Sequence, residues 1–316
     1  MISLTVMGEG ASQDITLYTG NYQLSDNIDT LGAEFKFRLM SNPLDKNFAG
    51  KEIELGSKVA FVHDGVMMFS GIVTSFSRNH MAIWEYTCYD YGFYLNKNEV
   101  MIQFNKVSVS DALKRLCQEN GVAVGEICDI STVVSKIYSG NTIGDVLKDL
   151  LKMASDELKV SYRMEMRSNK LYIEKYQDLY VNTKVIDLVG NFSNSNSIED
   201  MKNRIVVVSS SEKNAQIIAE TSDAESIKKY GQLTKVEKIE DKKKSQASSI
   251  AEGMLSNLKT VKKTFSVTTL GSDLVRAGRM LVFNQPEINL TGAFLVKTCT
   301  HTYDGNKHLM QLDLEV

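Results

Sequence analysis

Two stretches far apart in the chain are built on one plan. Residues 54–91, "ELGSKVAFVHDGVMMFSGIVTSFSRNHMAIWEYTCYDY", and residues 276–316, "RAGRMLVFNQPEINLTGAFLVKTCTHTYDGNKHLMQLDLEV", alternate apolar and polar side chains between glycines. Period-two alternation puts successive side chains on opposite faces of a strand, so both stretches are constrained to runs of half-buried strands. Asp64-Gly65 tolerates positive φ at both positions and joins two of them as a tight hairpin. Laid against one another, Gly56 falls opposite Gly278, residues 59–62 opposite 281–283, and Gly71 opposite Gly292. Trp84, Tyr86 and Cys88 then fall opposite His308, Met310 and Leu312. Such a repeat predicts two similar small β-barrels.

Between them the period lengthens. "SVSDALKRLCQENG" places Ser108 and Asp111 at capping-box spacing, Ala112, Leu113, Leu116 and Cys117 on one helical face, and Gly121 as a stop. "NTIGDVLKDLLKMASDEL" repeats that spacing, and "VSYRMEMRSNKLYIEKY" alternates into a turn at Ser168-Asn169. The predicted class is therefore α+β, mainly β. A first barrel takes 1–102, a helix, helix, hairpin module 103–185, and a second barrel 186–316, with an inserted helix near 245–261. Only two prolines and no Pro-rich linker interrupt the 316 residues, so packed neighbours joined by short turns are expected.

A net charge of -3, from 36 basic and 39 acidic residues, excludes a global attraction to nucleic acid or anionic lipid. The lysine run 242–244 has acidic neighbours and reads as a solvated surface. No apolar run reaches the roughly 18–20 residues of a membrane span, and the N-terminal residues lack the basic-then-apolar order of an export signal. Synthesis in the cytoplasm and no membrane insertion are expected.

Signals for chemistry are weak. Cys88, Cys117, Cys128 and Cys299 form no CxxC pair and read as buried thiols. His63, His80, His301 and His308 belong to no HExxH or HxE motif and read as scattered surface residues. "SGNTIGDVLK" lacks the Gly-Lys-Ser/Thr of a phosphate loop, and "VVVSSSEKN" lacks a GxSxG elbow. Glu85 with Asp90, or Asp145 with Asp149, are carboxylate pairs that chance alone supplies among 39 acids. No catalytic residue, cofactor or metal is predicted.

"WEYTCYDYGFYLNKNEV", residues 84–100, concentrates aromatics on one strand and its exit. A base- or sugar-stacking face would interleave basic residues, whereas Glu85 and Asp90 stand there, so a barrel wall or protein interface is favoured. Asp90 and Asn96 are expected to bond turn amides, and Tyr89, Tyr91 and Tyr94 to place hydroxyls at a seam. "SIEDMKNR" has Ser197 and Asp200 at capping-box spacing, which sets Asn203 at a turn before a strand beginning at Arg204.

The order of parts, with "YDYGFYLNKN", "IEDMKNR", "SIKKYG" and "AGRMLVF", closely resembles the XkdQ/YqbQ-type hub proteins of contractile phage tails, relatives of the late control protein D family. The resemblance covers most of the chain. It implies a structural baseplate hub of a phage or phage-tail-like bacteriocin: a homotrimer joining the hexameric tail tube protein to the central spike protein, beside hub-connector and wedge proteins. Two barrels per subunit would let a threefold object meet a sixfold tube. Gly56, Gly71, Trp84, Tyr89, Asp90, Tyr91, Asn96, Asn203, Gly278 and Gly292 are then candidate turn and interface residues. A hub carrying a cell-wall-lytic activity would need a domain beyond the last strand. An independent saccharide- or nucleic-acid-binding barrel protein is the remaining alternative.

Overall fold

In a computed structural model of the chain, all residues are described except 9–11, 43–44, 46–51, 81, 182–188, 210–215, 240 and 316. The chain packs as two units, one of residues 1–193 with 266–316, the other of residues 194–265.

In the first unit the N-terminal block supplies β1 (Ile2–Met7), β2 (Ser12–Asp14), β3 (Thr19–Asn27), β4 (Glu34–Met40), β5 (Lys58–His63), β6 (Val66–His80) and β7 (Ile83–Asp90), then the short helix α1 (Gly92–Leu95). Asp64 and Gly65 both take positive φ in the β5–β6 turn, as a two-residue hairpin of this hand requires. The middle block is β8 (Glu99–Ser108), α2 (Val109–Glu119), β9 (Val124–Ile127), β10 (Val133–Thr142), α3 (Ile143–Leu158), β11 (Tyr162–Arg167) and β12 (Lys170–Lys175). Ser108 and Thr142 cap the two helices, each side chain accepting from a backbone amide, of Asp111 and Asp145 respectively, at 3.1 Å. Leu113, Leu116, Val146, Leu147 and Leu150 meet in one core with Leu171 and Ile173 of the hairpin.

The chain continues through β13 (Tyr180–Val181) and β14 (Val189–Ser197) into the second unit, with β15 (Arg204–Ser209), β16 (Ile217–Ser222), α4 (Ala224–Tyr230), β17 (Thr234–Ile239) and α5 (Ala247–Leu258). There β15 runs antiparallel to β16 and parallel to β17. Ala247, Ala251 and Leu255 of α5 pack on Ile205, Val207 and Ile239. The strand starting at Arg204 therefore belongs to this small sheet, not to a second barrel, and Ser197 caps no helix: its hydroxyl accepts the Glu199 amide in a turn. The chain then returns as β18 (Lys262–Leu270), β19 (Met280–Gln285), β20 (Leu290–Asp304) and β21 (Lys307–Glu315).

The two halves do not make two closed barrels. Their strands join one 13-stranded sheet in the order β14-β18-β21-β20-β3-β4-β7-β6-β5-β1-β2, with β13 and β19 branching from β20. Closure would need backbone bonds between the ends of each half; instead the free edge of β3 pairs with β20 of the other half. The repeat is nevertheless visible as two five-strand sets of identical order, β3-β4-β7-β6-β5 and β14-β18-β21-β20-β19. The backbone repeats it in detail. The Gly56 amide donates to the Val73 carbonyl at 2.8 Å and the Val73 amide to Ser57 at 2.9 Å; Gly278 donates to Val296 at 2.7 Å and Val296 to Arg279 at 2.9 Å. Each long strand then slips register one step on, between Val73 and Ser75 and between Val296 and Thr298.

These bonds shift the expected pairing of glycines. Gly71 lies opposite Val59, whereas Gly292 lies opposite Phe283, the counterpart of Phe61. Gly71 thus corresponds to Phe294 and Gly292 to Phe69, and Trp84 and Tyr86 to Met310 and Leu312. The error is two residues, which leaves every side chain on its proper face and so goes unnoticed in a pattern of alternation.

Candidate functional site

Where the two sets meet, the sheet presents a continuous polar face. Directly opposed residues of antiparallel strands share a face. Gln311, Thr300, Ser25, Glu34 and Tyr89 therefore form one row across β21, β20, β3, β4 and β7. Thr302, Gln23, Lys36 and Thr87 form the next. At about 4.8 Å between strands such a row is roughly 20 Å wide. Its charges are consumed internally. Lys36 lies 2.6 Å from Glu34, which also accepts the Tyr89 hydroxyl at 2.7 Å, and Arg38 donates to Glu85 at 2.8 Å. Thr298 donates to Asp313 at 2.5 Å. What remains is a hydroxyl- and amide-rich wall without a dominant sign of charge.

The opposite face of the same strands is apolar. Trp84, Tyr86 and Cys88 point inward with Phe35 and Phe37, so the aromatic strand is a wall whose outward residues are Glu85, Thr87 and Tyr89. Arg78 covers the Trp84 ring at 4.2 Å. At the exit Asp90, 6% exposed, accepts the amides of Ala33 and Gly92, each at 2.8 Å. Burial pushes its carboxyl up to about 7, against the pull of those amides. Asn96 donates to the Leu31 carbonyl at 2.6 Å, and the half-buried Tyr91 packs against the middle core. Gly71 is a point of close approach, since a Cβ there would lie 2.1 Å from the Tyr89 carbonyl oxygen. Gly56, Gly278 and Gly292 instead have positive φ. Asn203 serves the second unit, buried, with its amide donating to the Gly231 carbonyl and its oxygen accepting from Leu233, both at 2.7 Å. The candidate residues thus lie partly within β6, β7 and β20 and partly at separate turns, and do not form one site.

Behind the junction of the two sets lies an ionic network that alternation conceals. Arg163 and Glu165, on β11 of the middle block, are 2% and 4% exposed, because both faces of this strand are covered. Arg163 donates to Asp26 of β3 at 3.0 Å and Glu165 accepts from Arg279, just before β19, at 2.7 Å. Arg167 bonds both Glu165 and Glu174. Burial alone would raise the Glu165 carboxyl, but Arg279, with Arg163 and Arg167, brings it down to about 2. The middle block is thereby fastened to both strand sets by buried charge, an arrangement in which losing one partner strands another.

The carboxylate pairs are structural: Asp145 accepts the Thr142 hydroxyl, and Asp149 accepts from Tyr138 and Lys136. The side chains of His80, Lys242 and Lys243, and residues 210–215, lie outside the described residues. The remaining three histidines are not scattered over the surface. His301 is 1% exposed and lies 2.9 Å from His308, which itself stands near His63. Strand alternation had no means of showing that residues 63 and 308 meet across a curled sheet. Cys299 lies 3.2 Å from His301 Nε2, but burial pushes the thiol up and encloses it, and that nitrogen donates to the Val275 carbonyl. It is no nucleophile–base pair.

A family model described as YQBQ-like matches residues 22–315. No curated protein matches the sequence. Among solved structures, the 43 kDa tail protein of prophage MuSo2 from Shewanella oneidensis superposes with a TM-score of 0.74 at 12% identity, over 99% of this chain and 98% of that one. The tail protein from Neisseria meningitidis MC58 gives 0.70 at 13% identity, over 100% and 96%. The E. coli c3393 protein, described as a type VI secretion component similar in structure to T4 bacteriophage tail proteins gp27 and gp5, gives 0.57 at 11%, over 99% and 76%. At these identities the likeness is one of fold.

Proposed function

The chain belongs to the YQBQ-like family, and we propose that it is a structural baseplate hub of a contractile phage tail or phage-tail-like particle. In this reading it forms a homotrimer that seats a hexameric tube on a trimeric spike and contacts further baseplate proteins. The observation that carries the reading is the doubled five-strand set of one order within one chain. Three chains then offer six quasi-equivalent sets, and a threefold body meets a sixfold one with no tube subunit left unmatched.

The polar face across β21, β20, β3, β4 and β7 is the channel side in this arrangement. A wall of hydroxyls with its charges already paired gives a passing polyanion no strong foothold, because non-specific nucleic-acid binding depends on unpaired cations. The middle block stands outside, held by the network around Glu165. The role needs no catalysis.

Cryo-electron microscopy of intact tails containing this chain tests the proposal. Three copies at the junction of tube and spike, each presenting both strand sets to tube subunits and burying on the order of 2,000 Å² or more per subunit contact, are expected. Its absence from that junction, or one set engaged per chain, rejects the adaptor mechanism.

A further inference from the structure

His63, at the end of β5, and His308, at the start of β21, belong to different strand sets, yet their rings lie 5.0 Å apart. Asp273, in the loop after β18, stands between them, 2.7 Å from His63 Nδ1 and 3.6 Å from His308 Nδ1. One ligand atom from each of the three lies within 4.8 Å of the others. We propose that these residues form a binding site for a divalent transition ion of the zinc class, which clips the two strand sets together.

The hydrogen bonds around the site fix which nitrogen is free. The Val275 carbonyl can only accept, so His301 Nε2, 2.9 Å away, carries a proton. With that proton on Nε2, the neutral imidazole of His301 offers Nδ1 as an acceptor, and His308 Nε2 at 2.9 Å donates to it. The lone pair of His308 Nδ1 is left facing the Asp273 carboxylate, two acceptors toward each other. A cation between them resolves that opposition.

The surroundings suit a metal. Tyr303 stacks on the His308 ring at 4.1 Å and donates to Asp273 at 3.3 Å, holding both ligands. His301 bonds the distal nitrogen of His308, and the Asp64 carboxylate lies 3.7 Å from the distal nitrogen of His63, the outer partners that orient metal-bound imidazoles. Asp273 also borders a cavity of about 250 Å³ with Val66, Met67 and Leu274, which gives an ion a path in. Two imidazoles and one carboxylate match zinc, at bonds of about 2.0–2.2 Å, with water in the fourth position. These bonds place tetrahedral ligand atoms roughly 3.3 Å apart, so the site needs only a small closure. Binding at His63 Nδ1 moves the proton that this nitrogen donates to Asp273 to the ring's Nε2, which the Asp64 carboxylate faces, so the imidazole binds in its neutral form.

The test is calorimetric titration of the EDTA-stripped full chain with Zn²⁺, beside the Co²⁺ spectrum of the same chain. One equivalent bound, an intense tetrahedral Co²⁺ absorption, and at least about 100-fold weaker binding in His63→Gln and Asp273→Asn are expected. Both variants should keep the parent's far-UV circular dichroism in EDTA. No stoichiometric binding, equal binding in either variant, or a weak octahedral Co²⁺ spectrum overturns the site. If a variant misfolds, the Co²⁺ spectrum of the unmodified chain decides. The outcome does not depend on the hub assignment.

Discussion

Glu165 is the residue on which the first unit depends most by charge. Its carboxyl falls from an ordinary 4.5 to about 2 on folding. A depressed carboxylate contributes stability that is complete above its unfolded value and lost as pH falls through the folded one, on the order of 3 kcal/mol here. Urea unfolding between about pH 7 and pH 2 should show that loss. Glu165→Gln should abolish it and lower stability near pH 7 by about 3–5 kcal/mol, because Arg279 is left without its carboxylate and Arg163 keeps only Asp26. Asp90 runs the opposite way. Raised from 3.8 to about 7, it contributes most below about 3.8, and the contribution declines as pH rises toward 7, since the folded state holds the proton more tightly. Asp90→Asn should flatten the decline over that range in the same assay. Gly71→Ala forces a methyl against the Tyr89 carbonyl and should cost about 1–3 kcal/mol by thermal or urea denaturation. At Gly292, where a Cβ meets nothing within 4 Å, the cost comes from φ alone. None of these differences can be read from the sequence, where Arg163 and Glu165 occupy the outward positions of an alternating strand and the two glycines look alike.

Among elements, the helices were the most legible. Ser108 with Asp111 and the 3.6-residue spacing of Leu113, Leu116 and Cys117 place α2 within a residue of its observed start, because capping and amphipathicity are local properties. Ser108→Ala and Thr142→Ala should each remove about 1 kcal/mol in equilibrium unfolding. Strands were legible by face and turn: the positive φ of Asp64, Gly65, Ser168 and Asn169 lies where their dipeptides indicate. Strand partners were not legible. The pairing of β3 with β20 joins residues whose alternation would equally fit a closed barrel, since an edge offers the same amides and carbonyls to any neighbour. The strand at Arg204 shows the same limit, its Val-rich run giving no sign that it serves a separate sheet.

For the molecule as a whole, the two units have separate cores, and hydrogen exchange should reflect that. Glu165→Gln is expected to speed exchange in β11, β12 and β19 while amides of β15 and β17 keep their protection; a uniform loss would mean one cooperative body.

By itself the sequence determined what depends on neighbours along the chain: which residues face inward, where turns reverse, where two helices start, and that one strand plan occurs twice. Covalent geometry gives these features periods of two and 3.6 that survive in any tertiary setting. Only the tertiary structure decided which edges join, which polar side chains are buried as ions, and that His63, Asp273 and His308 converge. Those outcomes depend on the curl of a sheet and on desolvation, which bring together residues more than two hundred positions apart for reasons that no local pattern carries.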